Sequence, residues 1–465
     1  MSARGLEEQV AEALDGHEAW LVGGTLRDEL LGRATEDVDL AVAGDPEVAA
    51  RKVARALGAP CFPLSAAFGT WRVVGDGWQV DLSVLQGDTL AEDLSRRDFT
   101  INAIARPIGG GELIDPHGGR GDLEQRVLRM VSSSSLPEDP LRALRLVRLA
   151  CELQCTIEAD TRRSAAANAP GLRTVAGERI FAELQRIIAS QRARDGLALL
   201  TELALMTEVL PELEQLRGVE QNRYHHLDVY DHTLLVLDQV LRLETDPAAV
   251  LPGLAPAALE RIAALLAEPV GDGVTRSTAL RFGALLHDIA KPQTQAVADD
   301  GTVLGFPDHA AQGAEQVRAI CARWKTSDRL RTHLAALARH HLGLGFLVHE
   351  EPSDVRVMYR YLARTAPLQT DISLLSIADR LATLGHKAEI STERHMAVAL
   401  TVLPRALDFD AVLAAPPLIR GDALADALGI SPGPAIGALL AEIAEARYAG
   451  EIWTADEAVA YARTL

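Results

Sequence analysis

Cysteine is scarce in this chain, with Cys61, Cys151, Cys155 and Cys321 its four thiols among 465 residues. That scarcity excludes a disulfide-stapled scaffold. The one close pair, Cys151-x3-Cys155, falls in an apolar helical stretch and reads as core, so a reducing cytoplasm is the expected setting. Lysine occurs only at Lys52, Lys291, Lys325 and Lys387, which leaves arginine to carry nearly all the positive charge. No apolar run approaches the roughly 18 residues that a membrane span needs. Ala258 to Ala267 is interrupted by charge, and the polar, acidic N-terminus has no signal-peptide pattern. Positive charge is short overall, and a formal charge of −19 argues against a protein that grips nucleic acid by bulk electrostatics. A local basic patch can still hold phosphates.

The chain is too long for a single core, so several domains are expected. Its 48% hydrophobic and 24% charged residues are those of a soluble globular protein. The most informative stretch is Leu21-Val22-Gly23-Gly24-Thr25-Leu26-Arg27-Asp28, with Glu36-Asp37-Val38-Asp39-Leu40 behind it. Ala19 to Val22 reads as a strand running into a glycine pair, which opens a helix ending near Leu31-Gly32. Asp37 to Val42 reads as a second strand. Side chains at i and i+2 of a strand leave one face roughly 6–7 Å apart, so Asp37 and Asp39 can address one spot. Paired carboxylates beside a helix N-terminus suit a divalent cation and a triphosphate, because hard cations take oxygen ligands and backbone N–H groups attract phosphate. Taken alone, Asp-x-Asp is also common in solvated loops. Phe68 to Val74 and Trp78 to Val84 read as two strands joined at Gly75-Asp76-Gly77, a hairpin signal. If the second lies beside Val38 to Val42, Asp81 becomes a third carboxylate, and the catalytic acids Asp37, Asp39 and Asp81 are those that two-metal phosphoryl transfer uses.

A denser constellation follows at Asp93-Leu94-Ser95-Arg96-Arg97-Asp98-Phe99-Thr100-Ile101-Asn102-Ala103. Its arginines, acids and amide supply phosphate forks and a ribose partner within a few residues. Taken in order, Gly23-Gly24-x-x-Arg27-Asp28, Asp37-x-Asp39, this segment, Asp115-Pro116-x-Gly118-Gly119 with Asp122-Leu123, and Glu138-Asp139-x-x-Arg142-x-x-Arg145 form a motif set. It resembles that of the bacterial class II tRNA nucleotidyltransferases, the CCA-adding enzymes and their poly(A) polymerase relatives. The resemblance implies that Asp37 and Asp39 hold Mg2+ and that Gly23, Gly24 and Arg27 cradle the triphosphate. It further implies that Arg97, Asp98 and Asn102 contact the incoming nucleotide, Asp98 favouring a ribose, and that Asp139 and Arg142 read the Watson–Crick edge of CTP or ATP. The residues agree with that last role. Asp139, Arg142, Arg145 and Arg148 recur at three-residue spacing on one expected helix face, beside an apolar stripe of Leu141, Leu144 and Val147. An acceptor and forked donors on one face can match a base edge. One departure is Gln86 to Glu92, shorter than the loop of family members that add the full CCA. A short loop resembles the CC-adding branch, and CC and CCA addition both stay open.

Cys151 to Gln191 reads as helical, and Leu197 to Leu210 as a further short helix. Gly177-Glu178-Arg179-Ile180-x-x-Glu183-Leu184 matches the last motif of the same family and would brace the nucleotide site. Arg162, Arg163, Arg173, Arg179, Arg186, Arg192 and Arg194 are interleaved with few acids and are candidates for phosphate contacts to a tRNA acceptor end. A second system begins at Tyr224-His225-His226-Leu227-Asp228-Val229-Tyr230-Asp231-His232. It continues with His287-Asp288 on a leucine-rich helix, His309, His340-His341 and Asp379. Imidazoles with a bridging carboxylate fit zinc, nickel, manganese or iron. This order resembles the HD phosphohydrolase superfamily and implies His232, His287, Asp288 and Asp379 as metal ligands, with His309 and His340 or His341 completing a binuclear set. Phe346 to Asp354 reads as a turn region. Near the end, a Pro-Gly-Pro turn feeds a helix over Ile436 to Tyr448, either a plain cap or a phosphate contact.

The expected fold is an α/β nucleotidyltransferase head, a small mixed sheet with helices, over residues 1–130. All-α regions follow: a neck over 131–215, an HD region over 216–400 and a tail over 401–465. The expected function is addition of cytidines, and of the terminal adenosine if the loop permits, to a tRNA 3′ end from CTP and ATP with Mg2+. Rivals are a poly(A) polymerase, a metal-dependent HD phosphohydrolase with an RNA-binding head, and an inactive RNA-binding adaptor. Oligomeric state has no signal in the sequence.

Overall fold

The structure is a computed structural model describing residues 3–33, 37–65, 69–221, 226–348, 354–385 and 388–465. Glu36, Phe68, Tyr224, His225, Lys387 and the part of the expected turn at 349–353 lie outside the described residues. The chain forms two compact units, Met1–Val209 and Leu210–Leu465.

The first unit is built on a six-stranded mixed sheet. Its strands β1 (Ala19–Val22), β2 (Asp37–Val42), β3 (Cys61–Ser65), β4 (Thr70–Gly75), β5 (Trp78–Val84) and β6 (Ala105–Pro107) lie in the order β3-β4-β5-β2-β1-β6. Only β2 and β5 run parallel. Helix α1 (Ala3–Ala13), α2 (Gly23–Leu30) and α3 (Pro46–Leu57) accompany the sheet. Leu21, Val38, Leu40, Val80 and Leu82 form one core with Leu6 and Val10 of α1 and Ala50 and Val53 of α3. Because side chains alternate across a strand, burying Val38, Leu40, Val80 and Leu82 turns Asp37, Asp39 and Asp81 to the opposite face. Strong punctuation sets α3: Asp45 accepts from Glu47 N–H, Pro46 occupies the first turn, and Gly58 closes the helix in the left-handed region. The strands β3 and β6 were not foreseen, since a proline interrupts one and ends the other, and proline demotes a strand reading.

Downstream of α4 (Leu90–Ser95), the expected continuous helix from Cys151 to Gln191 is broken. Helix α5 (Leu141–Leu153) stops where Gln154 turns left-handed, at φ 56°. Thr156–Ile157 then pairs with Val127–Leu128 as a short parallel ribbon, in keeping with the β preference of branched side chains. Helices resume at Ala159–Asn168 and at α6 (Gly177–Ala189). Cys155 therefore lies beyond α5, not inside it, and both it and Cys151 are buried free thiols. Leu197 to Leu210 is likewise divided, into Ala193–Glu202 and Met206–Val209.

The second unit is helical apart from small ribbons. Helices α7 (Val229–Thr245), α8 (Arg276–Leu286), α9 (His309–Trp324), α10 (Asp328–His340) and α11 (Gln369–Ala382) pack on one another, with α8 buried from Thr278 to Leu286. The last helices carry their own core of Leu424, Ile436, Ile443 and Ile452. The helix expected from Ile436 begins at Pro434. Among the described residues, no helix is long and apolar enough to cross a membrane.

Candidate active and metal sites

In the first unit, Thr25 ties the glycine turn to the acidic strand. Its hydroxyl donates to the Asp37 carbonyl at 3.0 Å and accepts from Asp39 N–H at 2.8 Å. Gly23 is left-handed, φ 67°, and a Cβ there would sit 3.2 Å from Arg97 Nη1 and 3.7 Å from Asp39 Oδ2. Any side chain would fill the cradle. Exposed Asp37 and half-buried Asp39 line a cavity of 570 Å³ together with Gly24, Arg97, Asp139 and Arg142. Asp81 lies opposite Asp39 in the parallel register of β2 and β5. It reaches the cavity as half of an ion pair, because Arg72 on β4 grips both of its oxygens at 2.7 Å. Burial, then the charge of Asp81, raises the Asp39 carboxyl above its ordinary range. A cation between these acids would relieve that penalty, and two carboxylates suit magnesium.

The other expected nucleotide contacts form one chained network. Arg27 donates to Asp28 at 3.0 and 2.8 Å and to Asn102 Oδ1 at 2.9 Å. Asn102 donates to Asp98 Oδ1 at 2.9 Å, and Arg145 to Asp98 Oδ2 at 2.8 Å. Burial opposes ionisation of Asp98, but Arg145, Asn102 and the Phe99 N–H outweigh it and bring the carboxyl down to about 2.

Asp139 is not on the helix. Proline disfavours helical backbone in the residue before it, so Asp139 stays extended ahead of Pro140, at φ −138° and ψ 98°. Its Oδ1 accepts from Leu141 N–H at 3.2 Å and its Oδ2 from Arg179 at 3.1 Å. Arg148 lines the same cavity, yet its guanidinium is held by Glu183 at 2.6 Å and Glu152 at 2.8 Å. It joins α5 to α6. The neck arginines are also paired: Arg162, Arg163, Arg173, Arg179, Arg186 and Arg192 meet Glu202, Asp160, Glu208, Asp139, Glu152 and Asp195. Several partners are far away in sequence, which hid them. Exposed pairs contribute only ~0–1 kcal/mol, so phosphates can displace them.

In the second unit, His232, His287 and Asp288 present ligand atoms within 4.8 Å of one another, and so do Asp288, His309 and His341. Asp288 is shared. Asp379 Oδ1 lies 3.0 Å from His232 Nε2 and 4.0 Å from His287 Nε2. Half-buried His340 lies outside both groups, and buried His341 takes the position left open between the two. His287, His309 and His341 each direct Nδ1 to the backbone carbonyl three residues earlier, at 2.9, 2.7 and 2.8 Å. With Nδ1–H donating, Nε2 is the ligand atom. Among the described residues, buried His287 Nε2 and Asp288 Oδ1 have no hydrogen-bond partner, and His287 Nε2 lies 3.1 Å from Asp288 Oδ2, as expected of atoms built to hold a metal ion. Burial, then neighbouring His287, pushes His341 down to about 4, so its ring stays neutral.

Several residues support these sites through bonds that no sequence pattern assigns to them. Asp93 joins the Gln86 N–H to Arg97, both at 3.0 Å, and its i,i+4 spacing to Arg97 was the available signal. Lys291, three residues past Asp288, sits 2.6 Å from Asp288 Oδ2 and donates to Gln221 at 2.7 Å. A lysine in an arginine-rich chain was its signal. Arg72 faces Asp81 across the expected hairpin, which was its signal, whereas Thr25 and Ser135 had none, because their partners arrive through tertiary contacts.

Three family models match in chain order: the Poly A polymerase head domain over residues 19–129, the probable RNA and SrmB-binding site of polymerase A over 155–216, and the HD domain over 229–384. The A-adding tRNA nucleotidyltransferase of Deinococcus radiodurans is 36% identical over 95% of this chain and 94% of its own. The CC-adding tRNA nucleotidyltransferase of Thermus thermophilus is 34% identical over 96% and 93%. A solved CCA-adding enzyme in apo form I shares the fold at TM-score 0.65 and 18% identity, over 99% of this chain and 93% of that one. Identity of this order along nearly the whole of both chains, with the glycine turn, the strand acids and the histidine cluster each on its expected element, means that the chain belongs to the tRNA nucleotidyltransferase family.

Proposed function

We propose that this chain adds cytidines, and the terminal adenosine if its template can be rearranged, to the 3′ end of tRNA from CTP and ATP. The observation that carries the reading is the convergence of Asp37, Asp39, the Gly23-Gly24 turn and Arg97 on one cavity. Asp37 and Asp39 would hold Mg2+, which when bound acidifies the attacking hydroxyl and neutralises the triphosphate. Backbone N–H groups at the start of α2 take phosphate oxygens, and Arg97 adds a fork. The tRNA 3′ hydroxyl attacks the α-phosphorus in line, the bond to the bridging oxygen breaks, and pyrophosphate leaves. Asp98, with Asn102, faces the ribose, while Asp139 and Arg142 read the base. Arg27 holds Asn102 and Arg145 holds Asp98 in place, while Arg148 joins α5 to α6 beneath them.

The connection between β5 and α4 is short and pinned, with Gln86 N–H on Asp93 at 3.0 Å and Asp88 N–H on Glu92 at 2.6 Å. This supports a template kept in one orientation, and so CC addition. The A-adding relative from Deinococcus supports a second reading in which ATP is the nucleotide used. In the second unit, His232, His287, Asp288 and Asp379, with His309 and His341, would hold nickel, manganese, zinc or iron. Such a metal, when bound, activates water and polarises a phosphate ester, which supports a phosphodiesterase or phosphatase activity. A cytoplasmic location and the four-part division at about residues 130, 215 and 400 belong to the same proposal.

The test is incorporation of labelled CTP and ATP into tRNAs ending at the discriminator base, at C and at CC. CTP incorporation without ATP selects CC addition, ATP incorporation only onto the CC end selects the second reading, and long ATP tails indicate a poly(A) polymerase. No incorporation at all refutes the proposal. Asp39→Ala should abolish transfer and leave any hydrolysis by the second unit intact.

A further inference from the structure

Arg142 does not hang loosely in the cavity. Its Nη2 donates to the Arg96 carbonyl at 2.7 Å, and its Nη1 to the Ser135 carbonyl at 3.0 Å and the Ser135 hydroxyl at 3.1 Å. A longer contact of 3.5 Å joins Nη1 to the Arg97 carbonyl. Ser135 is 1% exposed, and its hydroxyl donates to the Asp98 carbonyl at 2.8 Å while accepting from Arg142. One buried hydroxyl thus joins the base-reading arginine to the backbone of the residue facing the ribose. A guanidinium has five N–H donors. With both Nη1 donors and one Nη2 donor engaged by carbonyls and the serine, Nε–H and one Nη2–H remain for a base.

Two remaining donors in the cavity that the Asp139 carboxylate also lines match cytosine, which offers two adjacent acceptors, O2 and N3, and the N4 amino donor. Adenine offers N1 as a single acceptor beside its N6 amino group. We infer that Ser135 is a positioning residue that orients Arg142 toward cytosine and thereby sets the preference for CTP over ATP. The inference rests on the proposal that Asp139 and Arg142 read the incoming base, and it assigns the selectivity to a residue outside that pair. Loss of the hydroxyl removes one of the acceptors of Nη1 and one of the donors to the Asp98 carbonyl, and leaves the guanidinium held by the Ser135 and Arg96 carbonyls without the side-chain contact that sets its tilt.

The test measures kcat/KM for CTP and ATP separately with the full chain, on tRNA ending at the discriminator base and at CC. Ser135→Ala should lower the CTP-to-ATP selectivity about tenfold, the order of one bidentate base contact, chiefly through a higher KM for CTP with the KM for tRNA unchanged. Ser135→Cys, nearly isosteric but a weak hydrogen-bonding group, should shift it in the same direction and serves if the alanine variant does not fold. Ser135→Thr should restore it. Selectivity that is unchanged in the alanine and cysteine variants, or equal losses for both nucleotides, overturns the role of Ser135 and leaves base reading by Arg142 standing. Arg142→Ala with undiminished discrimination overturns the base-reading proposal itself.

Discussion

Asp98→Asn removes the charge at the centre of the network that joins Arg27, Asn102 and Arg145. Asp98 is 6% exposed, and its carboxyl lies at about 2 against an ordinary 3.8. That depression corresponds to ~2.5 kcal/mol of preference for the charged form in the folded state. Asparagine keeps an acceptor for the Phe99 N–H, and Arg145, whose side chain is 39% exposed, can regain water. The loss should therefore fall at or below the low end of the ~3–5 kcal/mol typical of breaking a buried pair, at about 2–3 kcal/mol. For a unit of this size that is a fall in Tm of about 5–10 °C. The depressed pKa fixes the sign with pH. The contribution is complete above 3.8 and is lost only as pH falls toward about 2, so the gap between wild type and variant should be constant from pH 8 to 5. Urea unfolding by circular dichroism, with hydrogen exchange of α5 to localise the effect, measures it. A cycle with Arg145→Gln isolates the pair. A gap below about 0.5 kcal/mol, within the range of an ordinary surface substitution, or no coupling to Arg145, would show that the Asp98 charge carries no such share of the stability.

Gly119→Ala would place a Cβ 2.0 Å from the Thr100 carbonyl oxygen, and because backbone cannot swing aside the variant should lose about 3 kcal/mol or fail to fold, read by chemical denaturation. His287→Ala should abolish the metal content of the purified chain, measured by elemental analysis, and leave CTP incorporation in place; an unchanged metal stoichiometry counts against the cluster. His395, 4% exposed and with Nε2 lacking a hydrogen-bond partner among the described residues, is pushed down to about 4 by burial. Its unfolded counterpart binds a proton near 6.5, so its part of the stability is lost as pH falls from 6.5 to about 4, to the extent of about 3 kcal/mol. His395→Leu should flatten that slope of the second unit, and an unaltered slope would show that His395 is not its source.

The glycine turn, Asp37 to Val42 and Trp78 to Val84 were legible because they are local: a turn needs Gly23, and a half-buried strand needs alternation. The histidine cluster was legible as an order of residue types, although the choice of His341 over His340 was not. Adjacent residues on a helix differ by about 100°, and only the packing of α10 shows which one faces Asp288. Three-residue spacing alone puts Asp139 on the helix face, whereas Pro140 keeps it extended ahead of the helix. The acidic partners of the neck arginines are invisible locally for a different reason. Pairs such as Arg173 with Glu208 and Arg162 with Glu202 form between elements that no local pattern connects.

By itself the sequence determined the types and order of the chemistry-bearing groups: the glycine turn, the strand acids, the arginine-rich segments and the His-Asp system, each carried by short-range periodicity and turn chemistry. What those groups are bonded to emerges from the folded chain. Arg72 neutralises Asp81, Glu183 and Glu152 hold Arg148, Thr25 ties Gly23-Gly24 to Asp37 and Asp39, and Ser135 fixes Arg142. The physical reason is that hydrogen bonds and ion pairs reach only about 3–4 Å. Which partners come within that reach depends on strand register and helix packing, both of which are set by the burial of apolar side chains elsewhere in the chain.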